Sequence, residues 1–216
     1  MHGIMRQALE RLLATAILIG DGLAEGDDAK IHEQNIHSIW NDDELYTIHQ
    51  VVDFKAMETK LQGTETKNHF GEEYIRTEAI IESSLYAREK YKGRGKPVFF
   101  CEPHTVNQML MARDLNGRRI YNSVSELTTA LNVSAIHTVE DMANKTRQAS
   151  DRTHKLLGIF VNLADYQLGS TKGGQITSFN DFDIDFNQEK FLMETRLSGA
   201  LIAIKSAIAL EEDVTA

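Results

Sequence analysis

Residues Met109 to Tyr121 read MLMARDLNGRRIY, and the fold is decided on this stretch. Val106, Met109, Leu110 and Ala112 fall at helical spacing, so the segment is entered from a helix with one apolar face. Asn116-Gly117 tolerates positive φ, which ends the helix and reverses the chain. Arg118 and Arg119 then precede the apolar step Ile120-Tyr121. The turn is expected to be structural, with Gly117 left-handed. Arg118 or Arg119 is expected to hold a carboxylate or helix-end carbonyls, Asp114 being the nearest acid in sequence. Alone, an Asn-Gly-Arg-Arg string is an ordinary helix stop; its weight comes from what stands around it.

The chain has 216 residues, 42% of them hydrophobic, enough for one large domain or two modest ones with real cores. A net charge of -9 and a pI near 5.4 argue against a protein whose main work is gripping nucleic-acid phosphates. Cys101 is the single cysteine, which excludes an intrachain disulfide and a cysteine-based zinc site. It follows the run Val98-Phe99-Phe100 and reads as a buried, inert strand end; a nucleophile with His104 as base lacks an orienting third group. Ile4 to Ile19 is interrupted by Arg6, Glu10 and Arg11, too short and too charged to span a bilayer, and no secretory cleavage site follows. The expectation is an intracellular, soluble protein with no membrane partner.

Working outward, Ile4, Met5, Ala8, Leu9, Leu12, Leu13, Ala16 and Ile17 predict a long amphipathic helix stopped at Gly20-Asp21-Gly22. Leu45 to Val52 is strand-like or mixed, and Gly63 to Gly71 a polar loop. Glu72 to Tyr91 is a second helix, Lys92-Gly93-Arg94-Gly95-Lys96 a solvated basic connector, and Val98 to Glu102 a short strand. Thr105 to Asp114 is the third helix; Ser123 and Glu126, at capping-box spacing, start a fourth, short helix that runs to about Leu131. Val133 to Val139, Leu156 to Ala164 and Gln175 to Phe179 read as strands, with a turn over Gly169 to Gly174. Phe182-Asp183-Ile184-Asp185-Phe186 alternates strictly, which places three apolar side chains on one face and two acids on the other. Phe191 to Arg196 and Ala200 to Leu210 continue as long strands, with Gly199 a bend or bulge.

Asp181, Asp183 and Asp185 are the strongest candidates for metal or acid-base chemistry. A hard cation needs oxygens converging from separate elements, and three acids along one strand are too far apart. His32, His37, His49 and His69 show no paired metal spacing, and His137 reads as a hydrogen-bonded packing residue. No hydrolase triad, phosphate loop or dinucleotide fingerprint is visible. The reading is of no enzyme, no cofactor and no metal.

Several blocks, in order, resemble the tailed-phage major capsid family with the Hong Kong 97-type fold. In that family an apolar helix runs into a charged pair, a Gly-Arg turn and an Ile-Tyr or Ile-Phe step, as in the stretch quoted above. MRQALERLLATAILIGDG is similar to the family's spine helix and its Gly-Asp-Gly turn. The helix from Glu72, the strand at 98–102 and the segment 105–121 resemble its axial (A) domain core. DFDIDFNQEKFLMETRLSGALIAIKSAIALE, with Lys172-Gly173-Gly174 and VNLADY at Val161 to Tyr166, is similar to the strands that return to the peripheral (P) domain. The resemblance implies an α+β fold with the peripheral domain at 1–55 and 181–216, a mixed α/β axial domain at 56–180, and a spine helix with long antiparallel strands.

The resemblance also implies a structural role: a self-assembling subunit of pentamers and hexamers in a virion capsid, made in the host bacterial cytoplasm and touching packaged DNA only non-specifically. Arg6, Glu10, Arg11, Asp183 and Asp185 are the candidate assembly faces, and Asn116, Gly117, Arg118 and Arg119 the structural turn. A rival role for the two arginines is contact with a neighbouring subunit or the genome. Family members usually begin with an amino-terminal arm and an extended loop upstream of the spine helix, and neither has a counterpart in this sequence. On that basis the chain is expected to be a fragment, a truncated prophage product or a version shortened for crystallisation. Family members that ligate a loop lysine to an asparagine have Gln188 and Thr195 near the matching positions here, so that chemistry is not expected. The alternative function is a truncated homologue that co-assembles with intact subunits and regulates them.

Overall fold

Apolar residues at helical spacing become α1 (His2–Ile19), which Gly20 ends at φ +82°. The structure, a computed structural model, describes residues 2–23, 26–28, 30–62, 70–149, 151–171 and 176–214. The chain divides into two units, Met1–Asn41 with Tyr166–Ile202, and Asp42–Asp165 with Ala203–Ala216.

In the first unit β6 (Tyr166–Ser170) pairs antiparallel with β9 (Leu197–Leu201), and β7 (Thr177–Asp183) forms a hairpin with β8 (Gln188–Glu194). Gly199 sits inside β9 and no irregularity interrupts its pairing. A Cβ there would stand 2.6 Å from the Tyr166 hydroxyl oxygen, so the glycine permits close approach.

The second unit is built on a six-stranded mixed sheet. Its order is β1 (Thr47–Val51), β10 (Ala207–Asp213), β5 (Arg152–Val161), β2 (Val98–Cys101) and β3 (Ile136–Thr138), with β4 (Thr146–Ala149) also on β5. The central strand β5 is buried almost without alternation, as a strand covered on both faces must be. Ile48, Phe99, Leu157, Phe160, Ile208 and Leu210 make one core with Ile75, Ala79 and Ile80 of α3 (Glu72–Arg88). Around it lie α2 (Phe54–Gln62), α4 (Pro103–Met111) and α5 (Val124–Ala130). Pro103 opens α4, where its missing N–H costs nothing. Ser123 Oγ accepts the Glu126 N–H at 3.3 Å, and Glu126 Oε2 accepts the Asn122 N–H at 2.7 Å. Ser123→Ala is expected to lower stability by about 1 kcal/mol, read as a shifted urea midpoint.

Four expectations change. α2 forms where the sequence pattern predicts no helix. The strand predicted over Phe182 to Phe186 stops at Asp183: residues 184–187 turn, Asn187 is left-handed at φ +51°, and Asp183 Oδ1 accepts the Asp185 N–H. Ala200 to Leu210 is two strands, broken over 202–206 with Lys205 at φ +51°. The turn predicted over Gly169 to Gly174 begins inside β6. The division between units also differs from boundaries at 55/56 and 180/181. β10 is hydrogen-bonded between β1 and β5, so the last strand belongs to the sheet unit. The loop at 63–69, His69 and Lys172-Gly173-Gly174 lie outside the described residues.

Candidate functional site

The turn that opened the sequence reading is a closed loop. The Asp114 N–H donates to Arg118 O at 2.9 Å, the Gly117 N–H to Asp114 O at 3.0 Å, and the Ile120 N–H to Ala112 O at 3.1 Å. Gly117 has φ +76°, and a Cβ there would meet nothing within 4 Å. The strain of a substitution is therefore backbone strain alone, and Gly117→Val is expected to cost about 1–2 kcal/mol in a denaturant titration. The arginine that holds the loop is Arg113, whose guanidinium donates to Gly117 O at 2.8 Å. Asp114 Oδ1 accepts backbone N–H groups from Asn116 and Arg118. The side chains of Arg118 and Arg119 reach no carboxylate among the described residues, and Arg118 joins the loop through its backbone. Alanine at either position is expected to leave the unfolding midpoint within about 0.5 kcal/mol of wild type.

Arg6 and Glu10 pair with each other across one helical turn at 2.9 Å, both well exposed. Such a pair adds a few tenths of a kcal/mol at most, about 0.3–0.5. More telling is the apolar stripe of α1, where Ile4 is 74% and Leu12 46% exposed and only Ala16, Leu18 and Ile19 are buried. Met5, Leu9, Leu13 and Ile17 of the same face are half-buried. After Gly20, Asp21 accepts N–H groups from Leu23 and Ile31 and the Lys30 ammonium. Burial raises its pKa, but those donors outweigh burial and the net shift is downward. The stabilisation is thus present above the ordinary carboxylate range and lost as pH falls through the depressed value.

The hairpin β7–β8 is apolar on both sides. In register, Phe179 faces Leu192 beside the Asp181–Lys190 pair, while Phe182 stands with Phe191 and Met193 on the other side. Phe179, Phe182 and Leu192 are half exposed, and Ile184 and Phe186 at the turn are 82% and 72% exposed. Asp183, expected on an open acidic face, is instead paired with Lys190 and mostly covered. Asp185 is exposed in the turn.

Two buried carboxylates escaped the sequence reading. Glu211, aimed by a register shift in β10, accepts Arg147 Nε and Nη2 at 2.6 and 3.0 Å. His49 Nδ1 lies 3.2 Å from its Oε1 and His154 Nδ1 3.9 Å from its Oε2. Asp165, fully buried, accepts the Arg94 N–H at 2.7 Å, with Arg94 Nε 3.5 Å from its other oxygen. Burial, then the Asp165 charge, pushes the neighbouring Tyr91 hydroxyl up to about 12. The basic turn at 92–96 is therefore anchored, not merely a solvated connector; the Lys92 N–H also donates to Lys205 O at 2.9 Å.

Cys101 is fully buried, and burial followed by the Glu102 charge pushes its thiol up to about 12, which leaves it inert. His104 is exposed at the start of α4, and His137 is an exposed ring stacked on Phe100 at 5.7 Å rather than a buried one. Among the described residues no group of three or more His, Cys, Asp or Glu is placed to hold a metal ion. No helix among them is long and apolar enough to cross a membrane. What stands out among the described residues is exposed apolar surface.

The phage capsid family model matches residues 2–211. No curated protein sequence matches the chain. Among solved structures, the capsid of an empty GTA particle is similar at TM-score 0.56 and 12% identity, over 98% of this chain and 64% of that one. The capsid of the native GTA particle gives 0.55 and 14%, over 98% and 70%. A structure from Mycobacterium phage Cain gives 0.51 and 12%, over 97% and 63%. The chain thus spans just under two thirds of the first of these. At such identities the likeness establishes the fold.

Proposed function

The chain belongs to the phage capsid family, and on that premise we propose that it is the structural subunit, or the assembly core of one, of an icosahedral capsid that self-assembles around a DNA genome. The observation that carries the reading is the β7–β8 hairpin, whose large apolar side chains are half exposed on two faces and largely exposed at the turn. Soluble monomers rarely keep such a patch; it marks a surface that is buried in association. The exposed Ile4 and Leu12 of α1 point the same way. Shell subunits distribute many repeated, partly polar contacts over their neighbours, and none needs a catalytic pocket. On this reading the unit with α1 and the hairpin corresponds to the peripheral domain and the sheet unit to the axial domain. The protein resides in the virion capsid after passing through the host bacterial cytoplasm, contacts DNA only non-specifically, and has no catalytic role.

The test separates folding from assembly. Phe179→Ser with Phe182→Ser should leave the unfolding midpoint of the isolated subunit nearly unchanged, because neither residue is in the core. In cells expressing the whole gene product, the same variant should lose the fast-sedimenting particles that wild type gives on a density gradient. Particles in equal yield from the variant, or none from wild type, would rule the reading out.

A further inference from the structure

We propose that the β7–β8 turn of one copy seats in the apolar groove beside α1 of a second copy, a head-to-tail contact that rests on the reading of the chain as a shell subunit. The groove encloses about 590 Å³ within the first unit. Its walls are Leu9, Leu12 and Leu13 of α1, Ile31 and Ile36 of the following segment, and Leu197 at the start of β9. Cavities of roughly 300–1,000 Å³ enclose most of a drug-sized molecule, so two apolar side chains fit.

The polar features agree with such an occupant. Thr195 lines the groove with a buried hydroxyl that has no hydrogen-bond partner. A buried hydroxyl left unpaired is costly, and an incoming acceptor would relieve it. Arg196 beside it is exposed, and His32 lies on the same rim. The hairpin turn presents Ile184 and Phe186 with Asp185 between them: two apolar groups and one carboxylate at a single tip. Asp181 and Glu189 add negative charge nearby, whereas Lys190 is already paired with Asp183. Of the groove's other charged residues, Lys30 is paired with Asp21 and Glu194 is exposed at the base of β8, so an acidic, apolar tip meets an apolar groove through the Arg196 cation and the free Thr195 hydroxyl.

A copy cannot fill its own groove. Met193 and Glu194, at the base of β8, line it, and the seven residues of β8 put the turn about 23 Å away at roughly 3.3 Å per residue. Donor and acceptor surfaces are different patches, so the contact is heterologous and propagates from copy to copy, closing into a ring or continuing.

The test uses particles of the whole gene product carrying Ile184→Cys in some copies and Leu12→Cys in others. Native Cys101 is buried and does not compete. On oxidation, mixed particles should give a disulfide-linked dimer, since the two Cα atoms would come within the 4.4–6.8 Å or so that a disulfide needs, and neither variant alone should. A dimer from Ile184→Cys alone would show tips meeting each other, and intact particles without any cross-link would show another occupant; either overturns the seat and leaves the shell reading standing. Absence of wild-type particles would instead remove the shell reading. If a cysteine variant forms no particles, Asp185→Arg and Arg196→Asp decide. Each alone should cut particle yield about tenfold and the pair should restore it, since like charges repel where opposite ones had met. A pair as defective as the singles overturns the proposal.

Discussion

Gly158→Val should destabilise the sheet unit by about 3 kcal/mol, because overfilling a packed core costs roughly that much. Gly158 lies on β5 opposite Cys101 of β2 and Leu210 of β10. A Cβ on it would stand 2.6 Å from Phe99 Cζ and 2.9 Å from the Phe100 carbonyl oxygen. Phe99 cannot swing aside, since its ring stacks on Phe160 at 4.3 Å and both are fully buried. The Phe100 carbonyl is fixed in the ladder between β2 and β5. Urea titration should show the loss, with Gly158→Ala smaller and in the same direction. An unchanged midpoint for Gly158→Val would mean that the central strands are not packed as described.

The second large effect is expected at the buried carboxylate of β10. Arg147→Ala leaves Glu211, only 1% exposed, without its bidentate partner. Removing one member of a buried pair typically costs about 3–5 kcal/mol, and since Arg147 is 23% exposed the lower part of that range is expected. His49 at 3.2 Å gives partial cover. Replacing both charges, as Arg147→Met with Glu211→Leu, should recover most of the loss because no lone charge remains. A double variant as unstable as the single would mean that the cluster acts through packing and not through charge.

The helices were largely legible because their signals are local. Gly20 and the Ser123–Glu126 spacing each act within one or two turns, and both mark boundaries in the structure, whereas α4 starts at Pro103 rather than Thr105 and already ends at Met111, so Asn116-Gly117 turns the chain between Arg113 and Arg119 and does not end the helix. The misreadings share a cause. Alternation from Phe182 to Phe186 reads as strand, but Asp183 and Asn187 close a turn there, a choice made by side-chain capping and a left-handed residue. The break over 202–206 carries no glycine or proline, and its left-handed residue is Lys205. The Glu211 cluster draws on Arg147, 64 residues away, and His49, 162 away, so no local pattern announces it. The assembly residues chosen from sequence were the visibly charged ones. Arg6 and Glu10 satisfy each other, and Asp183 is taken by Lys190. The exposed surface is apolar, at Phe179, Phe182, Ile184, Phe186 and at Ile4 and Leu12 of α1, and only three-dimensional exposure distinguishes it from core.

Cryo-electron microscopy of the material formed by the whole gene product in bacteria tests the central claim most directly. Closed shells are expected, with density for both units in every subunit and the β7–β8 hairpin buried against neighbouring copies. Monomers or small open oligomers at high concentration, with that hairpin still in solvent, would contradict it.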